Sequence, residues 1–232
     1  MSIVERKITK SNHLVEASYS LSLGEQRLIL VAISKINPLE SLPDRPIRIY
    51  AKEYEEFYAK AGVSIKNAYS VLQASSKDLY ERSIIELKGT KKRKTRWVYS
   101  ICYEPFDGFI ELTFSPSLAP YLTNLSKQFM SVTQQQLSGL KSLYTIRLLE
   151  MLMQWKTTGS LKISVADFKE RLQISEKYPR WDNLKNRVLL PAIKELKKNC
   201  DLDVEMKLLR KGRSITAIEF VFQEVAQQSL PL

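Results

Sequence analysis

Apolar residues recur at helical spacing in several stretches of the chain and at alternate positions in several others, which predicts a mixed α+β protein. The longest periodic run is 181–198, WDNLKNRVLLPAIKELKK. At about 100° per residue, Trp181, Leu184, Val188, Ala192 and Leu196 fall on one side and can be buried. The other side carries Asn183, Asn186, Arg187, Leu190, Lys194 and Lys197. Pro191 has no N–H for the Arg187 carbonyl, which predicts a bend in mid-helix. A first helix is predicted over 23–36, with Leu28, Val31 and Ala32 on one face and Ser22 as its N-cap. Leu14, Leu21 and Leu28 are seven apart, but Ser18, Ser20 and Gly24 interrupt and Lys35 takes the next place. That spacing reads as a core stripe rather than a zipper. Residues 2–13 read as a polar arm.

Between these runs the punctuation is regular. Three prolines mark 37–46 as a loop, and 45–51 alternates as a short strand. A helix over 52–61 ends at Gly62, and a second over 64–81 turns Ile65, Ala68, Leu72 and Leu79 inward. Its outer face carries Lys66, Ser70, Gln73 and Lys77. Strands are predicted at 83–88 and 95–103 around a basic tip, KGTKKRK, then a turn at 105–108 and a strand at 109–114. Trp97, Tyr99 and Tyr103 alternate and read as one buried sheet face. Helix, strand, helix, helix, hairpin is the order of a winged helix-turn-helix, with the basic run at the tip of the wing.

After a polar connector at 115–139 the order starts again. It runs through a helix at 141–155, a strand at 161–164 and a helix at 165–172. The long helix at 181–198, a strand at 201–208, a basic turn and a strand at 214–222 complete it. Offsets agree with a weak internal repeat. Leu23 and Arg27-Leu28 match Leu143 and Arg147-Leu148 at +120; Ile49 and Tyr54 match Ile163 and Phe168 at +114; Leu72, Leu79 and Ile85 match Leu189, Leu196 and Leu202 at +117. Two tandem winged-helix domains are expected, at 12–130 and 131–232.

Charge sharpens this picture once it is located. The formal net charge is +11, yet residues 88–96 carry +6, residues 177–213 carry another +6, and the remainder is nearly neutral. Charge concentrated in two places is the footprint of a polyanion binder. Arg180, Asn183, Asn186 and Arg187 are the side chains suited to bidentate readout of guanine and adenine edges. Phosphate contacts are expected from Lys66, Lys77, Lys91, Lys92, Arg93 and Lys94, and from Lys185, Lys194, Lys197, Lys211 and Arg213. The competing reading of the same helix is an ordinary amphipathic element with a solvated basic face.

Other chemistries find little support. His13 is the one histidine, which removes paired-histidine metal chemistry and a Ser-His-Asp arrangement. There is no GxxxxGK[ST] phosphate loop. Glu53, Glu55 and Glu56, beside Lys52 and Lys60, read as a solvated face. Cys102 and Cys200 lack metal-like spacing and read as reduced, semi-buried thiols. No enzyme activity, metal or cofactor is expected, nor a membrane span or secretory segment, so a cytoplasmic protein is expected.

Three separated segments carry a resemblance over about 12–222. They are NHLVEASYSLSLGEQRLILVAISKI, YTIRLLEMLMQW and KYPRWDNLKNRVLLPAIKEL. Together they resemble the iteron-binding initiators of theta-type plasmid replication. The resemblance implies tandem winged-helix domains, the second reading each direct repeat of the origin through the helix at 181–198. It implies that the first domain contacts the DNA backbone and mediates dimerisation. It further implies monomers on direct repeats, a dimer on an operator inverted repeat that represses the protein's own gene, and contacts to a host initiator and helicase. A winged-helix transcriptional regulator without a replication role fits the same residue pattern. An RNA-binding protein would call for exposed aromatics among basic residues on a sheet.

Overall fold

The computed structural model describes residues 6–88 and 90–224. Its first half runs β1 (Lys7–Ser11), α1 (Asn12–Glu16), α2 (Leu23–Ile33), β2 (Ile47–Tyr50), α3 (Ala51–Tyr58), α4 (Ile65–Leu79), β3 (Ser83–Lys88), β4 (Lys91–Arg96), β5 (Val98–Glu104) and β6 (Phe109–Phe114). Then α5 (Ala119–Leu122), β7 (Phe129–Thr133) and α6 (Gln134–Ser138) lead into the second half. That half comprises α7 (Leu143–Met153), β8 (Ser160–Ser164), α8 (Val165–Arg171), α9 (residues 181–200), β9 (Leu202–Lys211) and β10 (Ser214–Glu224).

Each half holds a three-stranded antiparallel sheet, ordered β2-β6-β5 and β8-β10-β9. In both, the strand ahead of the helix pair takes one edge and the last strand takes the centre. The internal repeat is therefore present in sheet topology as well as in element order. Helix α2 starts at a capping box in which Ser22 and Glu25 bond each other's backbone N–H groups, and Glu25 also accepts from Arg82 at 2.8 Å. Leu14, Leu21 and Leu28 are all buried, as a core stripe requires.

Several expectations are corrected. Residues 7–11 of the expected arm form β1, paired with β7 from Lys7↔Thr133 to Ser11↔Phe129, with Ile8 buried; residues 2–5 lie outside the described residues. Five residues are too short for a periodic signal, and the strand exists because a distant partner supplies its ladder. His13 follows in α1 rather than in a loose segment.

The basic run is not the tip of a wing. Lys91–Arg96 is β4, which pairs with β3 in a separate two-stranded hairpin inserted between α4 and the sheet. Ile85 sits in that insertion, so the counterpart of β9 is β5. The first sheet's own hairpin turns at 105–108, where Phe106 is 97% exposed between Glu104 and Asp107.

Tyr99 and Tyr103 do not form a buried face. They are 54% and 37% exposed, whereas Trp97 lies between strands, fully buried, edge-on to Tyr19 at 5.1 Å. Val98 is buried opposite Phe114 and Tyr99 falls in a register shift between Val98 and Ser100, while Tyr103, paired with buried Ile110, stays partly exposed because β5 is an edge strand. Glu53 is more than a solvated acid, because its two oxygens bind Arg6 and Lys35, each at 2.6 Å. Cys102 is exposed and Cys200 buried, so neither is half-buried.

The halves meet over α2, α7 and the β1–α1 segment, where a buried polar cluster replaces part of the apolar core. Glu150 Oε1 accepts from Lys10 Nζ at 2.6 Å and Gln26 Nε2 at 3.1 Å, and its Oε2 accepts from Arg147 at 3.0 Å. Arg147 also donates to the Tyr19 hydroxyl and to the Val15 carbonyl. Its repeat counterpart, Arg27, donates to the Leu140 carbonyl at 2.7 Å. The Arg-Leu pair found by sequence offset is thus a pair of buried arginines tying the halves together.

Candidate nucleic-acid interface

Helix α9 begins as Trp181–Leu184, widens into a π turn over Lys185–Leu189, and continues as Leu190–Cys200. Leu184, Val188, Leu189, Ala192 and Leu196 are buried, and Trp181 packs partly buried against the core. Where the proline predicts a bend, the helix holds this π turn, in which the Leu190 N–H donates to the Lys185 carbonyl five residues back. The segment before α9 is held by packing: Tyr178 is buried against Tyr144, and Lys169 Nζ donates to the Pro179 carbonyl at 3.0 Å. Lys177 reaches the Tyr144 hydroxyl at 3.2 Å, and that hydrogen bond, ahead of the charges of Tyr144 and Tyr178, raises its pKa.

Arg180, Asn183, Asn186 and Arg187 are all exposed, on the side of α9 away from the core. Ion pairs among the described residues leave both arginines uncommitted. Four fork-shaped or amide side chains with free donors and acceptors can address base edges, which a merely solvated face has no need to keep free. Lys194 is exposed further along, Lys185 is half-buried, and Lys197 is paired with Asp203 at 2.9 Å. Lys211 and Arg213 flank Gly212 in the β9–β10 turn, both exposed. Gly212 has φ +62°, a left-handed conformation that glycine adopts without strain. Sequence reasoning passed over Lys207 and Arg210, exposed on β9 beside this turn. Their place in the same basic run as Lys211 and Arg213, four cations within seven residues, was the signal that could have found them.

In the first half, Lys66 and Lys77 are exposed on α4. The four cations of β4 are exposed but do not share a direction. Strand alternation puts Lys92 and Lys94 on one face and Lys91 and Arg93 on the other. Arg93 stands opposite Glu86, which accepts from the Tyr121 hydroxyl at 2.5 Å. Burial first, then the bond to Glu86, raises the Tyr121 pKa to about 12, so the phenol stays a donor. Among the described residues no group of His, Cys, Asp and Glu is arranged to hold a metal, and no helix is long and apolar enough to cross a membrane.

Two helix-turn-helix units with three-stranded sheets, basic hairpins and an unpaired Asn/Arg helix face define a tandem winged-helix protein of the DNA-binding class. Residues 7–153 match the family "Initiator Replication protein, WH1" and residues 164–222 match "Initiator Rep protein, WH2". The chain belongs to this family and is a replication initiator of the tandem winged-helix type.

Among its relatives is an Escherichia coli replication initiation protein, 26% identical, the match spanning 97% of this chain and 72% of the relative. The PI protein of Escherichia coli is also 26% identical, over 93% of this chain and 83% of its own length. A crystal structure of Pi initiator protein in complex with iteron DNA superposes with a TM-score of 0.79 at 25% identity, covering 94% of this chain and 96% of that one.

Proposed function

We propose that this initiator binds direct repeats, or iterons, at a replication origin, its second domain reading bases and its first gripping the backbone. Arg180, Asn183, Asn186 and Arg187 address base edges in the major groove. Lys66, Lys77, Lys91, Lys92, Arg93 and Lys94 in the first domain, with Lys185, Lys194, Lys197, Lys211 and Arg213 in the second, face phosphates. These contacts release counterions and supply affinity without sequence preference. Within this group, Lys92 and Lys94 carry more of the term than Arg93, which already has Glu86 beside it. The two domains divide at 130/131. Linking them raises the effective concentration of the second contact once the first has formed.

The observation that carries this reading is the free Asn/Arg face of a helix whose other side is buried. The relative solved on iteron DNA, alike over nearly the whole length, supports it. Bound copies on adjacent repeats would strain a neighbouring A+T-rich segment where base steps open easily. A self-dimer on an inverted operator, repression of its own gene, recruitment of a host initiator and helicase, and action in the cytoplasm complete the proposal.

The test is footprinting of the purified protein on the DNA beside its own gene at two salt concentrations. Regularly spaced protection that survives the higher salt is the expected result. Uniform protection lost with salt would reduce the protein to a non-specific binder.

A further inference from the structure

The recognition helices of the two domains differ by one residue. In α4 the buried positions Ala68, Leu72, Ser75 and Leu79, with Ser76 beside them, hold one face at steps of four, three and four. Eleven residues at about 100° each return to within about 20° of the starting direction, so an unbroken α-helix keeps all four inward. In α9 the corresponding positions Leu184, Val188, Ala192 and Leu196 are spaced four, four and four. In an unbroken α-helix the last would stand about 120° from the first and could not share its face. The π turn absorbs the difference. Ala68 aligns with Leu184 at +116, whereas Ser75 aligns with Ala192 and Leu79 with Leu196 at +117; Leu72 answers to the adjacent buried pair Val188 and Leu189, where the extra residue falls. The turn is thus a one-residue insertion relative to the first domain's helix.

The added length is accommodated on the outer side, where Asn186, Arg187, Leu190 and Pro191 are exposed. It also changes the backbone there. The Leu190 N–H goes to Lys185, and Pro191 has no N–H to give. The Asn186 carbonyl therefore has neither its usual helical donor nor the next one along the chain. Pro191 prevents the helix from closing back to ordinary spacing at this point, since its ring would crowd the carbonyl four residues earlier.

We infer that the π turn is the specificity-determining element of the second domain. It sets the angle at which Asn186 and Arg187 meet base edges relative to Arg180 and Asn183. It also offers the Asn186 carbonyl as an acceptor for the exocyclic amino group of adenine or cytosine. The first domain, whose helix lacks the insertion, has no equivalent. This inference rests on base reading by α9.

The test removes the turn and keeps every reading side chain. Deleting Leu190 together with Pro191→Ala leaves a seven-residue step from Leu184 to Ala192, which an unbroken α-helix holds within about 20°. Deleting Pro191 alone makes the same seven-residue step while keeping Leu190 and every cation of the helix. Folding is followed by circular dichroism and thermal unfolding. Binding is measured on the footprinted repeat, on every single-base variant of it, and on random duplex.

The expected result is a folded protein with unchanged affinity and salt slope on random DNA. It binds its repeat at least tenfold more weakly and has an altered base preference at two or more adjacent positions. Pro191→Ala alone, which returns an N–H beside the free carbonyl, weakens repeat binding severalfold. Straightened variants with the parent's affinity and base preferences would overturn the inference, and failure of both to fold would assign the turn to packing instead. A parent protein that prefers no repeat would instead overturn base reading itself, so the two failures are distinguishable.

Discussion

Arg187 and Arg147 carry the same charge to opposite ends, and burial decides which. Arg147 is enclosed by Glu150, Tyr19 and two backbone carbonyls, so both its terminal nitrogens donate inside the protein. Arg187 stands exposed with its donors free. We therefore expect Arg187→Ala to weaken binding to the specific repeat by about 5- to 150-fold, the equivalent of one bidentate base contact of about 1–3 kcal/mol. Binding to random DNA should change little. Equal losses on both DNAs in a competition assay would remove Arg187 from base reading.

Cys200 offers a second residue-level test. Burial above all, with Glu195 and Asp201 adding to it, pushes its thiol up to about 12 from an ordinary value of 9.0. The folded state thus disfavours the thiolate. The stability linked to this group is complete below the ordinary thiol range and declines as pH rises toward 12. Thermal unfolding of Cys200→Ala should lose less stability over that window than the parent protein.

At the scale of elements, the second domain was nearly legible from sequence. Its long helix is amphipathic, its turns carry glycine, and its elements come in the order the sequence pattern predicts, so local signals and global fold agree. The first domain concealed its inserted hairpin. Six basic residues in nine look like a loop tip by composition, yet Lys91–Arg96 pairs with β3 residue for residue, from Ser83↔Arg96 to Lys88↔Lys91. A polar strand gives no alternation to read. Because strand geometry splits its cations between two faces, Lys92→Ala should weaken specific and random DNA alike and reduce the salt slope by about 1. A slope unchanged from the parent's would take Lys92 off the phosphates.

Over the whole molecule, the two halves share one continuous buried cluster and a charged knot of Lys10, Arg147 and Glu150. Burial lowers the Lys10 pKa even though Glu150 opposes the shift, the mark of an ion pair formed at considerable desolvation cost. Removing one partner leaves the other unmatched in the core. Lys10→Met should therefore cost about 3–5 kcal/mol and lower the melting temperature by roughly 10 °C. The same continuity predicts one calorimetric transition for both halves; two separated transitions would show that the knot does not couple them.

The residue pattern alone determined which helix faces inward and where the charge gathers. It also determined that one architecture occurs twice, because each of these follows from side-chain periodicity within a single element. Tertiary structure decided the rest. It turned a polar N-terminal stretch into a strand and made matched arginines into internal ties. It set aside the basic hairpin as an insertion, and it placed a π turn where two helices of unequal register had to bury the same face. Each of these depends on a partner far away in sequence, and no local spacing records which partner a residue will meet.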